Sequence, residues 1–167
     1  MRLETLARIV ATLNGAGVRY LVVGGVAVTV HGFPRLTVDL DLAVALEEEN
    51  LRRAIDALAS LGYGPVQPVS PADFVDPRIR EAWVREKGMQ VLTLVSDRAP
   101  EIPIDIFAAL PFDFERAWPA ALRVPLPEGI LMPVVDRETL VAMKERAGRV
   151  RDLEDVAALR RQEGSDG

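Results

Sequence analysis

The sequence predicts an α+β fold: a mixed or antiparallel central sheet flanked by helices, with a helical pair at the C-terminus. Three features carry that expectation. Leu3, Leu6, Ala7, Val10 and Leu13 recur at helical spacing ahead of an apolar, strand-like run over 18–23. Two further strand-like runs, 89–95 and 101–107, are joined only by Ser96-Asp97-Arg98-Ala99-Pro100, which reads as a hairpin. Asp136, a good N-cap, opens a helix running to Ala147 that Gly148 terminates, and a last helix over 151–162 follows at once.

Taken in order, the first helix stops at Asn14-Gly15, and Val18 to Val23 is a buried strand. Gly24-Gly25 turns the chain into a helical segment, Val26 to His31, in spite of its β-branched content, and Pro34 helps to end it. Thr37 to Val44 is the second strand. Glu47, Glu48 and Glu49 sit where a helix N-terminus favours negative charge. Leu51, Ile55, Leu58 and Ala59 form that helix's inner stripe, closed by Gly62. Tyr63 to Val66 reads as a short strand. The prolines at 68, 71 and 77 make 67–80 a loop with at most one turn begun by Ser70-Pro71, a substrate-side insertion without chemistry of its own. Phe112 to Trp118 gives one or two helical turns before Pro119. Val124 to Leu126 and Ile130 to Met132 pair around Pro127-Glu128-Gly129. The last helix turns Leu153, Val156, Ala157 and Leu159 inward. No repeat, low-complexity tract or linker divides the chain, so residues 1–162 are expected as one domain, with a core over about 18–110, C-terminal helices over about 136–162 and a disordered tail at 163–167.

Bulk properties exclude several classes. At 49% hydrophobic and 27% charged residues the composition is that of a soluble globular protein. No apolar run is long enough to span a bilayer, and the N-terminus lacks the apolar core of a signal peptide. The chain has no cysteine, which removes disulfides and thiolate metal sites and makes a cytoplasmic location the expectation. One histidine, His31, rules out a multi-histidine zinc site, so any metal must be held by oxygen. A net charge of −5 argues against broad nonspecific nucleic-acid binding, though not against a local basic groove.

Asp39 and Asp41 lie on one strand face, with Leu40 and Leu42 on the other. Side-by-side carboxylates repel one another unless a cation sits between them. In the hairpin's second strand Ile102, Ile104 and Ile106 share one face, while Asp105 lies on the other with Pro103 and Phe107. An acid within I-P-I-D-I-F is out of keeping with its neighbours. The alternatives are a solvated strand edge for Asp39 and Asp41, and a salt bridge for Asp105.

Gly24-Gly25, thirteen intervening residues, Asp39-Leu40-Asp41-Leu42 and the later Asp105 together resemble the signature of nucleotidyltransferases with the polymerase-β-type fold. The wording G-G-V-A-V…H-G-F-P-R-L-T-V-D-L-D-L is most similar to small bacterial proteins of the AbiEii-like group, many of them toxins of toxin–antitoxin pairs. Those proteins carry a downstream lysine helix and a basic–Asp–x–x–Asp segment. Lys144 and Arg151-Asp152-Leu153-Glu154-Asp155 stand in that place, so the resemblance spans roughly 18–160.

The resemblance implies a nucleotidyltransferase fold and a metal-dependent enzyme. It would transfer a nucleoside monophosphate from an NTP, ATP among them, to a hydroxyl on tRNA, a protein or a small molecule, with a cognate antitoxin or toxin as a further partner. Asp39, Asp41 and Asp105 would bind Mg²⁺ or Mn²⁺, and Asp105 would help to deprotonate the acceptor. Gly24 and Gly25, backed by a helix N-terminus, would approach the triphosphate, with Arg35 and Lys144 as further phosphate contacts. Gly24-Gly25 reads equally as a tight turn, and Lys144 equally as a surface lysine laid along its helix. Asp152 and Asp155 read as helix N-terminal charges or partners of Arg146, Arg149 and Arg151, and His31 as a residue that packs or hydrogen-bonds locally. Trp83 and Trp118 read as core or rim. The alternative function is an inactive nucleotide-binding or antitoxin-like module of the same fold. A D-x-D glycosyltransferase ranks behind both, since no regular strand–helix series of Rossmann type is present.

Overall fold

The apolar spacing at the N-terminus produces helix α1 (Leu3–Gly15), whose Leu6, Ile9, Val10 and Leu13 are buried. The computed structural model describes residues 1–100 and 102–163. Strand β1 (Tyr20–Val22) leads into α2 (Gly24–Val30), then β2 (Leu40–Val44), α3 (Glu48–Ser60) and β3 (Tyr63–Pro65). Two helices, α4 (Pro71–Val75) and α5 (Pro77–Lys87), precede the antiparallel pair β4 (Val91–Ser96) and β5 (Ile104–Phe107). Helix α6 (Phe114–Ala120), β6 (Leu122–Pro125), β7 (Leu131–Val134), α7 (Arg137–Ala147) and α8 (Val150–Glu163) complete the order. The tail placed at 163–167 lies outside the described residues apart from the helical backbone of Glu163, and Glu101 of the hairpin lies outside them as well.

The strands form one mixed sheet in the order β3-β4-β5-β2-β1-β7-β6. β2 runs parallel to β5 and β1 parallel to β7, while the other neighbours are antiparallel. The α+β architecture, mixed sheet and C-terminal helical pair are therefore as the sequence predicts. Leu40, Leu42, Leu92, Ile104 and Ile106 alternate out of the central strands into a fully buried core, which leaves the intervening residues to the other face.

Five local expectations change. The stretch 67–80 is no loop: Pro71 and Pro77 each open a helix, and Asp76 accepts hydrogen bonds from the backbone N–H groups of Arg78 and Ile79. Proline at the first helical turn gives up an N–H that has no partner there anyway. The second strand begins at Leu40 rather than Thr37, because Leu40 donates to Pro103 O while 33–39 has no ladder partner. In α3 the inward residues are Leu51, Ala54, Ile55, Ala57 and Leu58, and Ala59 is exposed. Pro119 sits inside α6 rather than after it. In α8 Leu153 and Ala157 face outward, and Asp152 and Asp155 are buried in their stead beside Val156 and Leu159, which point inward as expected. Those four positions share one helical face, so charge pairing, and not hydrophobicity alone, set the rotation of the helix.

Asn50 ties α3 to the end of β2. Its amide oxygen accepts from Arg19 N at 2.8 Å, and its nitrogen donates to Ala45 O at 2.8 Å and Arg19 O at 3.0 Å. At 4% exposure no water replaces these bonds. The substitution Asn50→Ala is expected to cost roughly 1–3 kcal/mol, read as a lower urea midpoint at unchanged slope. A midpoint equal to wild type would show that the bonds carry no net stability.

Candidate metal centre

Backbone register brings the three acids together. Asp41 and Asp105 are direct partners across the parallel β2–β5 pair, and Thr93 faces Asp105 across β4–β5. Residues so paired present their side chains on one face of the sheet. Asp39, one residue before β2, belongs to an extended stretch in which Arg35, Thr37 and Asp39 are half-buried while Leu36 and Val38 are exposed. One ligand oxygen from each of Asp39, Asp41 and Asp105 lies within 4.8 Å of the others.

The glycine pair makes room for this cluster. After β1, Val23 N donates to Asp41 O, and the chain turns at Gly24 with φ of +63°. A Cβ at Gly24 would stand 1.8 Å from Asp41 Oδ2, and one at Gly25 would stand 2.6 Å from Thr37 Oγ1. Any larger residue at either position would displace the Asp41 carboxylate or Thr37. The Gly25 N–H donates to the Asp41 carboxylate. The space and one donor of the glycine turn are thus taken up by the protein's own acid.

Burial pushes the Asp41 carboxyl up to about 7, and Asp39 and Asp105 add to the rise against the opposing pull of Lys144 and the Gly25 N–H. Asp105 is raised for the same leading reason, with Asp39 adding and the hydrogen bond from Thr93 Oγ1, 2.6 Å to Oδ1, opposing. Carboxylates held this close without a full complement of cations are a donor set suited to a divalent ion of the Mg²⁺ or Mn²⁺ type, which takes oxygen ligands.

The downstream basic residues are paired with acids other than these three. Lys144 is 4% exposed and clasped between Asp152 (3.2 Å) and Asp155 (2.7 Å), so it is no surface lysine. Arg35 pairs with Asp155, which fastens the segment before β2 to α8. Arg149 donates from Nε to Asp152 at 2.7 Å. Burial works against the charge on Asp152, but the hydrogen bonds from Arg149 and Lys144 outweigh it and hold its pKa below the usual carboxylate range. Asp152 thus pairs with Arg149, as one reading of the sequence has it, and with Lys144, whereas Asp155 pairs with Lys144 and Arg35.

His31 Nε2 hydrogen-bonds Val135 O at 2.8 Å, and Trp83 and Trp118 are partly buried against the core. Sequence reasoning missed Thr93 and Thr37, which donates to Asp39 Oδ1 at 3.1 Å. A threonine in a strand is ordinary, so only the cross-strand register reveals the role of Thr93. Helix α5 walls a groove of about 510 Å³ lined by Gln67, Val69, Trp83, Lys87 and Val91. Val91 alternates with Thr93 onto the carboxylate face.

A family model described as "Nucleotidyl transferase AbiEii toxin, Type IV TA system" matches residues 8–167. Among solved structures the chain is similar to that of an antigenic nucleotidyltransferase-like protein from Paracoccidioides brasiliensis. That likeness has a TM-score of 0.51 and 17% identity, covers 94% of this chain and 74% of the other, and shows a shared fold alone. No curated protein matches the sequence.

Two outcomes follow from the electrostatics. The folded protein keeps a proton on Asp41 up to about pH 7, whereas the ordinary value is 3.8. The folded state therefore binds more protons across that window, and metal-free stability falls as pH rises through it, by up to about 4 kcal/mol. Melting curves from pH 4 to 8 should show this fall in wild type and a flatter profile in Asp41→Asn; identical profiles would contradict it. The change Asp155→Ala leaves buried Lys144 with one acid and Arg35 with none. It should cost about 3–5 kcal/mol in denaturant unfolding, and a loss under about 1 kcal/mol would mean the pairs are solvated.

Proposed function

The chain belongs to the AbiEii nucleotidyl transferase family, and we propose that it transfers a nucleoside monophosphate from an NTP to a hydroxyl acceptor. The observation that carries this reading is the convergence of Asp39, Asp41 and Asp105 within 4.8 Å on one sheet face. In this reading Asp39 and Asp41 hold Mg²⁺ or Mn²⁺, and Asp105 completes the ligand set. The ion, when bound, supplies positive charge to the phosphate oxygens and the departing pyrophosphate.

The acceptor oxygen forms a bond to the α-phosphorus while the bond from that phosphorus to the β-phosphate bridge breaks, and pyrophosphate leaves with the electron pair. The hydroxyl proton passes to Asp105, whose proton affinity burial raises. Thr93 engages Oδ1 of Asp105 and fixes the rotation of that carboxylate. Gly24 and Gly25 seat Asp41. Lys144 and Arg35, through Asp155, brace the segment that delivers Asp39. The acceptor class, whether tRNA, protein side chain or small molecule, and the partner in a toxin–antitoxin pair belong to this proposal through the family alone.

The test is incubation of the protein with each α-labelled NTP, Mg²⁺ and cell extract. Wild type should label one acceptor and release pyrophosphate, and Asp39→Asn or Asp41→Asn should lower both by at least about a hundredfold. Undiminished labelling by Asp39→Asn would remove the metal-dependent mechanism. Nucleotide-induced stabilisation with no labelled acceptor would favour the inactive binding module.

A further inference from the structure

The geometry points to Arg149 as the side chain that grips the nucleotide's triphosphate, held in place through its Nε by the buried carboxylate of Asp152. This rests on the nucleotidyltransferase reading and deepens it. The expected phosphate contacts, Lys144 and Arg35, are committed elsewhere. Lys144 is 4% exposed between two acids, and Arg35 is paired with Asp155. Three cations share two carboxylates, and the most open is Arg149, its side chain 77% exposed against 23% for Arg35 and 5% for Lys144.

Arg149 is also pre-aimed. Asp152 is 5% exposed, and its Oδ2 takes the Arg149 Nε at 2.7 Å while its Oδ1 takes Lys144 at 3.2 Å. Among the described residues the two terminal nitrogens of Arg149 have no protein partner, so four N–H donors face outward from an anchored guanidinium. That fork matches two phosphate oxygens, and anchoring it in advance lowers the entropy lost on binding. Ion pairs connect the fork to the acid-bearing segment: Asp152 shares Lys144 with Asp155, and Asp155 holds Arg35, in the stretch that leads to Asp39. The charge on Asp41 adds in a small way to the effect of Asp152 in raising the Arg149 pKa. A polyphosphate held by an ion at Asp39 and Asp41 would extend towards it. Arg151, on the next turn, is exposed and has no acidic anchor among the described residues.

Calorimetric titration with each of the four NTPs and the matching NMPs, in Mg²⁺, tests the assignment. The variant Arg149→Ala should weaken NTP binding at least about tenfold and leave NMP binding close to wild type, with Lys144 still paired to Asp152 in the folded protein. Arg149→Lys should recover only part, because an ammonium cannot donate two parallel bonds. Arg151→Ala should bind as wild type does. The inference is overturned if Arg149→Ala binds NTP undiminished, if it loses NMP binding equally, or if lysine restores binding in full. Wild type that binds no NTP would overturn it together with the nucleotidyltransferase reading. Acceptor labelling that depends on Asp41 but not on Arg149 would overturn the inference alone.

Discussion

Everything at the candidate centre depends on one pairing, the parallel register that sets Asp41 of β2 beside Asp105 of β5. Slipping either strand by one residue would bury the acids in the core and turn Leu40, Leu42, Ile104 and Ile106 to the other face. The leucines and isoleucines therefore hold the carboxylates in place: at full burial each contributes about 1.5–3 kcal/mol, which offsets the repulsion on the opposite face. Burial first, and like charge behind it, raise the proton affinities of Asp41 and Asp105. In the proposed reading, a divalent cation among the three acids relieves that cost.

Around this core of repulsion lies a second, compensated layer. Lys144, Asp152, Asp155 and Arg35 form a buried ion-pair chain that joins α7, α8 and the segment leading to Asp39. Buried pairs of this kind add little net stability against apolar replacements, but each is costly to break singly. Their effect is positional. The C-terminal helices cannot shift without unpairing a buried charge, so the strand entry and the helices that face the cluster move as one unit.

Much of this arrangement was legible along the chain. The acid–hydrophobic–acid alternation assigned Asp39 and Asp41 to one face, and Asp105 stood out against its isoleucines. Asp136 and Gly148 marked both ends of α7, as the hydrogen bond from Thr139 N and the left-handed Gly148 confirm. Other features were not legible for definite reasons. Helix α4 is only five residues long and α5 is rich in charge, so their proline-initiated starts resemble loop punctuation. Leu153 and Ala157 are apolar yet face outward in α8, because Asp152 and Asp155 take the inner face once α7 and residue 35 supply their cationic partners.

By itself, the order of residues determined the periodicities: which stretches become helix or strand, which acids share a strand face, and where a glycine pair turns the chain. Such properties are local, set by backbone geometry over a few residues. Only the tertiary structure decided that β2 and β5 lie side by side, that the glycine turn is filled by Asp41, and that Lys144 is interred between acids while Arg149 stays open. Those outcomes join groups that lie from two helical turns to tens of residues apart along the chain, and their energies exist only after water has been excluded between them.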